Sequence, residues 1–176
     1  MADAKSRAPR LLFSAEDIAA RVQGLAREIA AVPQKLDIAM PILVGGFVFA
    51  ADLVRALSKE GVDLDVEMLW LRSYGDKRVA SAISMIAGPS EQIAGRHVLV
   101  IDGVLDAGRT IRKAVSLIEA AGAASVRVVV ALDKQRPDAV AEADHVGFTI
   151  GNDFVIGYGM DDAGRYRSLP YIGRAG

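Results

Sequence analysis

The run VLVIDGVLDAGRT, from Val98 to Thr110, constrains the fold more than any other stretch of this chain. Four apolar residues end at Asp102, a loop carries Asp106, and Ala107-Gly108-Arg109-Thr110 leads into an amphipathic segment. That order reads as a buried strand, a binding loop and a helix start. A glycine-containing turn at a helix N-terminus presents unpaired backbone N–H groups and the positive end of the helix dipole, which together bind phosphate. Carboxylates beside a phosphate repel it unless magnesium or a sugar hydroxyl lies between. The loop therefore points to a phosphorylated sugar held with a metal. On the residues of the loop alone, an acidic loop capping an ordinary helix is the alternative.

The rest of the chain supplies a frame for that loop. Ser14-Ala15-Glu16-Asp17 reads as a helix cap with an acid at the third helical position, and Ile18, Val22, Leu25 and Ile29 follow at helical spacing. Residues 38–44 predict a buried strand, with Pro41 near an edge or at the strand start. Gly45-Gly46 then turns into a second helix over 47–59, closed by Gly61. Leu64, Val66, Met68 and Trp70 alternate with Asp65, Glu67, Leu69 and Leu71, which predicts a strand with Trp70 in the core. Residues 72–81 are polar and contain glycine, so they read as a mobile loop. Further strands are predicted around 82–86, 98–102, 126–132 and 146–150.

Alternating strands and helices with apolar strand runs imply a parallel sheet covered by helices on both faces. Ligands of such sheets bind at the carboxyl ends of the strands. Four strand ends become candidate site walls: 44–46, 72–74, 102–110 and 133–134. The segment after Gly151 is short and irregular and is expected to fold over that edge.

Composition narrows the classes. A chain of 176 residues with 52% hydrophobic residues buries a sizeable core. Its longest apolar run, 38–51, is interrupted by Pro41, Gly45 and Gly46 and is too short to cross a bilayer. MADAKSRAPR lacks the apolar stretch of a signal peptide, and there is no cysteine for a disulfide or a thiolate–zinc site. A cytoplasmic location with no membrane partner follows. A net charge of −1 argues against a nucleic-acid partner, and His97 and His145 lack metal-ligand spacing.

The run 98–110 resembles the phosphoribosyl pyrophosphate (PRPP) signature of the type I phosphoribosyltransferases, in which a hydrophobic strand, an acidic pair, two apolar residues, an acid and a small phosphate-cradling turn follow one another. From about Leu11 to Gly173 the order of motifs is similar to the hypoxanthine-guanine branch of that family. LLFSAEDIAARV resembles its opening helix, GGFVFAADLVRAL its first-loop helix, Ser73-Tyr74-Gly75 its flexible lid, and ALDK the strand whose lysine reads the purine. The tail VGFTIGNDFVIGYGMDDAGRYRSLPYIG resembles its base-binding stretch and is the most specific piece.

The resemblance implies an α/β, type I phosphoribosyltransferase fold, a central, mostly parallel sheet flanked by helices with a small hood from the terminal segments. It implies a single domain over 1–176, with its core at about 35–150 and the hood from about 1–34 and 151–176. The implied reaction joins hypoxanthine, or guanine, to PRPP with magnesium (Mg2+), giving IMP or GMP and pyrophosphate. The partners are then PRPP and a 6-oxopurine, in a homodimer or homotetramer. A guanine- or xanthine-preferring enzyme, and a PRPP- or nucleotide-binding regulator with little turnover, are the alternatives.

By the same resemblance Asp106 would be the general base for the purine's second imidazole nitrogen, the alternative being an acid that merely favours the helix dipole. Asp102 would face the ribose hydroxyls and a metal. Asp102, Gly103, Asp106, Ala107, Gly108, Arg109 and Thr110 would wrap the PRPP ribose and its 5′-phosphate. Val44, Gly45 and Arg167 would hold pyrophosphate, and Ser73 and Tyr74 would belong to the lid. Lys134 would donate to the exocyclic oxygen of the base, since lysine has donors only and adenine offers donors there. Phe154 would stack on the purine, the Val155 backbone would meet its Watson–Crick edge, and Asp161, in the same stretch, would bind a second magnesium. A solvated loop lysine and a core phenylalanine are the bland alternatives for Lys134 and Phe154. Arg165 reads as a surface charge.

Three positions depart from the family pattern. Val44 stands where a lysine is common, Gly103 where a second acid is, and Ala107 where a threonine is. Each lost polar contact costs on the order of 1–2 kcal/mol of binding.

Overall fold

The computed structural model describes residues 9–74 and 82–175. After strand β1 (Arg10–Phe13) comes helix α1 (Ala15–Ala30), opened by a reciprocal cap. The Ser14 hydroxyl accepts from the Asp17 N–H at 3.1 Å, and the Asp17 carboxylate accepts from the Ser14 N–H at 2.9 Å. Ile18, Val22, Leu25, Ala26 and Ile29 form its buried stripe, as the spacing predicted.

Strand β2 (Ile38–Leu43) leads into α2 (Phe47–Lys59), followed by β3 (Asp65–Val66), β4 (Leu69–Tyr74) and β5 (Ala82–Ala87). Next come β6 (His97–Leu105), α3 (Arg109–Ala120), β7 (Ser125–Asp133) and β8 (His145–Thr149), then β9 (Val155–Ile156) and β10 (Ile172–Arg174). The large sheet runs β5-β4-β2-β6-β7-β8, with β3 also pairing β2. Every pairing in it is parallel except β4 with β5.

Alternate residues of the central strands bury opposite faces. Leu99, Ile101, Val129 and Ala131 pack with α1 and α2, while Val98, Val100, Val128 and Val130 pack on the side of α3. Leu25, Ile29, Phe49 and Leu53 are at most 1% exposed, so each contributes on the order of 1.5–3 kcal/mol through burial. Among the described residues no helix is long and apolar enough to cross a membrane.

Two sequence expectations fail here. Pro41 lies neither at an edge nor at a strand start: β2 is central, and Pro41 pairs in register with Ile101 of β6. The Asp37 and Ala39 carbonyls accept from Asp65 and Glu67, so odd-numbered residues of β2 turn their backbone toward β3 and β4. Pairing on that side stops after Ala39 and resumes at Ile42, so the proline nitrogen falls in the break where no donor is needed.

The same break divides the strand expected over 64–71 and reverses its phase. Val66 and Met68 are exposed at 49% and 41%, while Leu69 and Leu71 are the buried pair. A shift of one residue moves a strand's apolar set to the other face. Trp70 is consequently half-buried rather than core.

The terminal segments make a second, three-stranded antiparallel sheet, β1-β10-β9. It joins the main body through Leu12, Phe13, Val155, Tyr158 and Ile172 on the α1–α2 side of the core, with Phe13 stacked on Phe148 at 4.0 Å between ring centroids.

Candidate active site

The carboxyl ends of β2, β6 and β7 and the middle of β4 converge on a cavity of about 580 Å³, closed on the other side by the tail after β8. From β2 it takes Val44 and Gly45, from β4 Trp70 and Arg72, and from β6 Asp102, Gly103, Asp106 and Thr110. Lys134 lines it beyond β7, and Phe154, Val155, Met160, Asp161 and Arg167 line it from the tail. Most of the residues singled out in the sequence thus meet in one place. Ala107, Gly108 and Arg109 line an adjoining cavity of about 480 Å³ that shares Asp106 and Thr110 with the first.

Strand β6 runs three residues beyond its expected end, to Leu105, because its pairing with β7 continues to Asp133. Gly103, Val104 and Leu105 are therefore in the strand and not in the loop. Helix α3 starts without a side-chain cap, and Gly108 at its N-cap has φ 73°. A Cβ there would sit 2.8 Å from the Ala141 nitrogen, so conformation and space both require glycine. The first N–H groups of α3 have no intrahelical partner and open toward the smaller cavity, an arrangement suited to an anion.

Asp106 carries two cations. Its Oδ2 accepts from Lys134 Nζ at 2.6 Å and its Oδ1 from Arg136 Nη1 at 2.9 Å. Partial burial raises its pKa, but the hydrogen bonds and charges of Lys134 and Arg136 outweigh this and hold the carboxyl below its ordinary value. Asp102 is the opposite case. Burial pushes its carboxyl up to about 7 despite a hydrogen bond from the Gly103 N–H at 2.7 Å. Lys134 is only 9% exposed and is not a solvated loop lysine. Phe154 is 53% exposed on the cavity wall and is not core.

The peptide between Leu43 and Val44 is cis. The Gly45 carbonyl, one residue past Val44, lies between two glycines: a Cβ on Gly103 would meet it at 3.0 Å and one on Gly159 at 2.6 Å. The β2 turn, β6 and the tail close together only because neither position carries a side chain. In the tail, Asp161 accepts from the Gly164 N–H at 2.7 Å and pairs with Arg167 at 2.8 Å, and Arg167 also donates to the Gly159 carbonyl at 2.6 Å. Arg165 is exposed and lies over the Tyr166 ring at 5.0 Å, as a surface charge does.

Residues 72–74 end β4 and do not open the loop expected over 72–81, and the rest of that loop, 75–81, with Gly75 of the expected lid, lies outside the described residues. Asp102 and Asp161 share the large cavity, but among the described residues no group of three acids or histidines stands ready to hold a metal alone. Sequence reading missed Arg136, Trp70 and Met160. Arg136 carried one signal, its place two residues after Lys134 in the turn that follows β7. Trp70 was hidden by the phase reversal.

The family described as "Phosphoribosyl transferase domain" matches residues 12–163. The chain is 36% identical over 167 residues to the bifunctional protein TilS/HprT of Listeria innocua, covering 93% of this chain but only 25% of that relative. It therefore spans about a quarter of the length of the bifunctional relatives. It is 35% identical to the hypoxanthine-guanine phosphoribosyltransferase of Bacillus subtilis, over 93% of this chain and 91% of that protein. Among solved structures, hypoxanthine phosphoribosyltransferase from Trypanosoma cruzi in complex with the product IMP superposes with a TM-score of 0.86 at 30% identity, covering 100% of this chain and 98% of the other.

Proposed function

Because the chain belongs to the hypoxanthine-guanine phosphoribosyltransferase family of type I phosphoribosyltransferases, we propose that it converts hypoxanthine and PRPP to IMP and pyrophosphate, a purine salvage reaction. The observation that carries this reading is Asp106 shared between the two cavities and paired with Lys134 at 2.6 Å. The larger cavity has the aromatic face and backbone edge a base needs, at Phe154 and Val155. The smaller has the uncapped helix N-terminus a sugar phosphate needs. Asp106 stands where the two halves of a nucleotide join.

In this reading a purine ring nitrogen forms the bond to the anomeric carbon as the bond to pyrophosphate breaks, through a transition state with oxocarbenium character. Asp106, held ionised by its two cations, receives the proton from the purine's other imidazole nitrogen. Lys134 donates to the exocyclic oxygen of the base. Arg167 and the backbone around the Val44-Gly45 turn bind the departing pyrophosphate. The fixed geometry of strand ends supplies orientation, and enclosure by the tail excludes water.

Magnesium fits the donor set. Asp102 and Asp161 are two hard oxygen ligands on one cavity, and this ion is ordinarily bound through one or two carboxylates together with substrate phosphates and water. When bound it neutralises charge on the pyrophosphate. Location in the cytoplasm and assembly as a homodimer or homotetramer, both expected from the sequence, complete the proposal.

Incubation of the purified protein with PRPP, magnesium and each of hypoxanthine, guanine, xanthine and adenine tests it. Formation of IMP, with adenine left unreacted, is the expected result. Turnover of adenine alone, or of no base at all, overturns it.

A further inference from the structure

We propose that Arg136 is a phosphate-contacting and positioning residue, anchored by Asp138, that ties the sugar-phosphate cradle to the carboxylate of Asp106. The proposal rests on the reading of the smaller cavity as the 5′-phosphate site and goes beyond it, because neither Arg136 nor Asp138 lies in the motif that suggested that site.

Three observations carry it. Arg136 lines the smaller cavity with Ala107, Gly108, Arg109 and Thr110, whereas Lys134 lines the larger one. The two cations thus grip the same carboxylate from its two sides. Gln135, between them, has φ 47° and donates its N–H to the Asp133 carboxylate at 2.7 Å, which fixes the turn that parts the two side chains.

The second observation is the anchor. Asp138 accepts from Arg136 Nε at 2.9 Å and Nη2 at 2.8 Å, a two-point clamp on the guanidinium. Nη1 gives one hydrogen to Asp106 at 2.9 Å. A guanidinium Nη carries two hydrogens, so Nη1 keeps a second donor beside the cradle. A clamped cation loses little freedom when it takes a phosphate oxygen, and donation from a charged group is among the stronger hydrogen bonds.

The third is the departure at residue 107. Alanine there offers the cradle no hydroxyl, and the phosphate is left with backbone donors, Thr110 and Arg109 from its own loop. Arg136 brings a donor from a segment about thirty residues further along the chain. The charged groups facing Asp106 and the cradle are Lys134, Arg136 and Asp138 from the turn after β7 and Arg109 from α3. With Arg136 removed, Asp106 loses one of the cations that hold its pKa down, so its titration moves upward.

The experiment compares the whole chain with Arg136→Ala, Arg136→Lys and Asp138→Asn. Ribose 5-phosphate and pyrophosphate serve as separate probes in calorimetric titrations, alongside melting curves and the pH profile of kcat/KM. Arg136→Ala should weaken ribose 5-phosphate by about tenfold or more while leaving pyrophosphate within about twofold. It should also move the acid limb of the profile to higher pH. Arg136→Lys should restore part of the phosphate affinity, and Asp138→Asn should lose a few-fold with the cation still present.

Unchanged ribose 5-phosphate affinity in folded Arg136→Ala overturns the proposal, as does an equal loss for pyrophosphate, which would mark only a general field. If the unsubstituted chain itself fails to bind ribose 5-phosphate, the proposal falls with the cradle. If it binds ribose 5-phosphate with the expected Arg136 dependence but forms no nucleotide, the enzymatic reading fails and the phosphate contact stands.

Discussion

The two walls of the large cavity are held in place by different means. On the sheet wall the polar groups pair across long stretches of chain: Asp106 with Lys134 and Arg136, and Asp37 at the far end of the sheet with His97. On the tail wall they pair locally, Asp161 with Gly164 and Arg167, and Arg167 with Gly159. Gly157, Tyr158, Gly159, Ala163, Gly164 and Tyr166 all have positive φ, so the tail is a sequence of tight turns. The sheet wall inherits its geometry from strand register, and changing a side chain there alters charge more than position. The tail wall is positioned by a few anchors, and changing one of those alters position more than charge.

The largest expected effect is on the sheet wall. Asp106→Asn keeps shape and polarity but cannot take a proton, so turnover should fall by roughly 10²–10⁴-fold. PRPP affinity should change only a few-fold, because in the proposed reading the phosphate is held by the cradle. Steady-state rates together with PRPP titration check this, and equal losses in the two would count against Asp106 as the base. Next in size is Lys134→Gln. Glutamine presents either an acceptor or a donor, so the preference for hypoxanthine over adenine should shrink by roughly 10–100-fold. An unchanged ratio of the two rates removes Lys134 from the base pocket.

A third prediction strikes where the walls meet. Gly103 does not have a positive φ, so an acid there is conformationally allowed and on sequence grounds should restore a ribose contact. The Gly45 carbonyl 3.0 Å from the would-be Cβ decides otherwise. Gly103→Asp must push that backbone toward Gly159, which has no room of its own, and overpacking of this kind costs about 1–3 kcal/mol. Lower melting temperature with weaker pyrophosphate binding is the expected result. Tighter PRPP binding at unchanged stability would show that the turn yields.

The contrast also separates what was legible in the sequence from what was not. The cap at Ser14, the apolar run of β6 and the glycine turn before α3 are local, and each fixes its own element whatever surrounds it. Pro41 misled because an edge is one way to satisfy a missing N–H and a break between two partner strands is another, and only the sheet order distinguishes them. The pattern over 64–71 read clean alternation where the structure has two short strands in opposite phase, since alternation says nothing about a jog between partners. The roles expected of Asp102, Asp161 and Arg167 are compatible with where they lie, yet Arg136 had only its nearness to Lys134 to mark it. Its partner Asp106 lies thirty residues earlier in the chain, a contact that the turn after Lys134 does not announce.

The smallest effect tests the anchor of the tail. Tyr158 is 4% exposed, and its hydroxyl donates to Asp52 Oδ2 on α2 at 2.7 Å. Asp52 also pairs with Arg55 and is partly exposed, so it can hydrate once the phenol is gone. Tyr158→Phe should therefore cost about 1 kcal/mol of stability near neutral pH and leave the chemistry almost untouched. The pH dependence makes the test sharper. Burial, and then the hydrogen bond and charge of Asp52, push the phenol far above its ordinary value. An unfolded tyrosine titrates near pH 10, so above that pH the unfolded chain releases a proton that the folded chain keeps. Fewer protons on the unfolded state mean that this group's contribution to stability falls as pH rises from about 10 toward the folded value. Phenylalanine lacks that term. The stability difference between the two proteins, read from denaturant titrations at about pH 8 and about pH 11, should accordingly shrink at the higher pH; a difference that stays constant would mean that the phenol is neither buried nor held by Asp52 in solution.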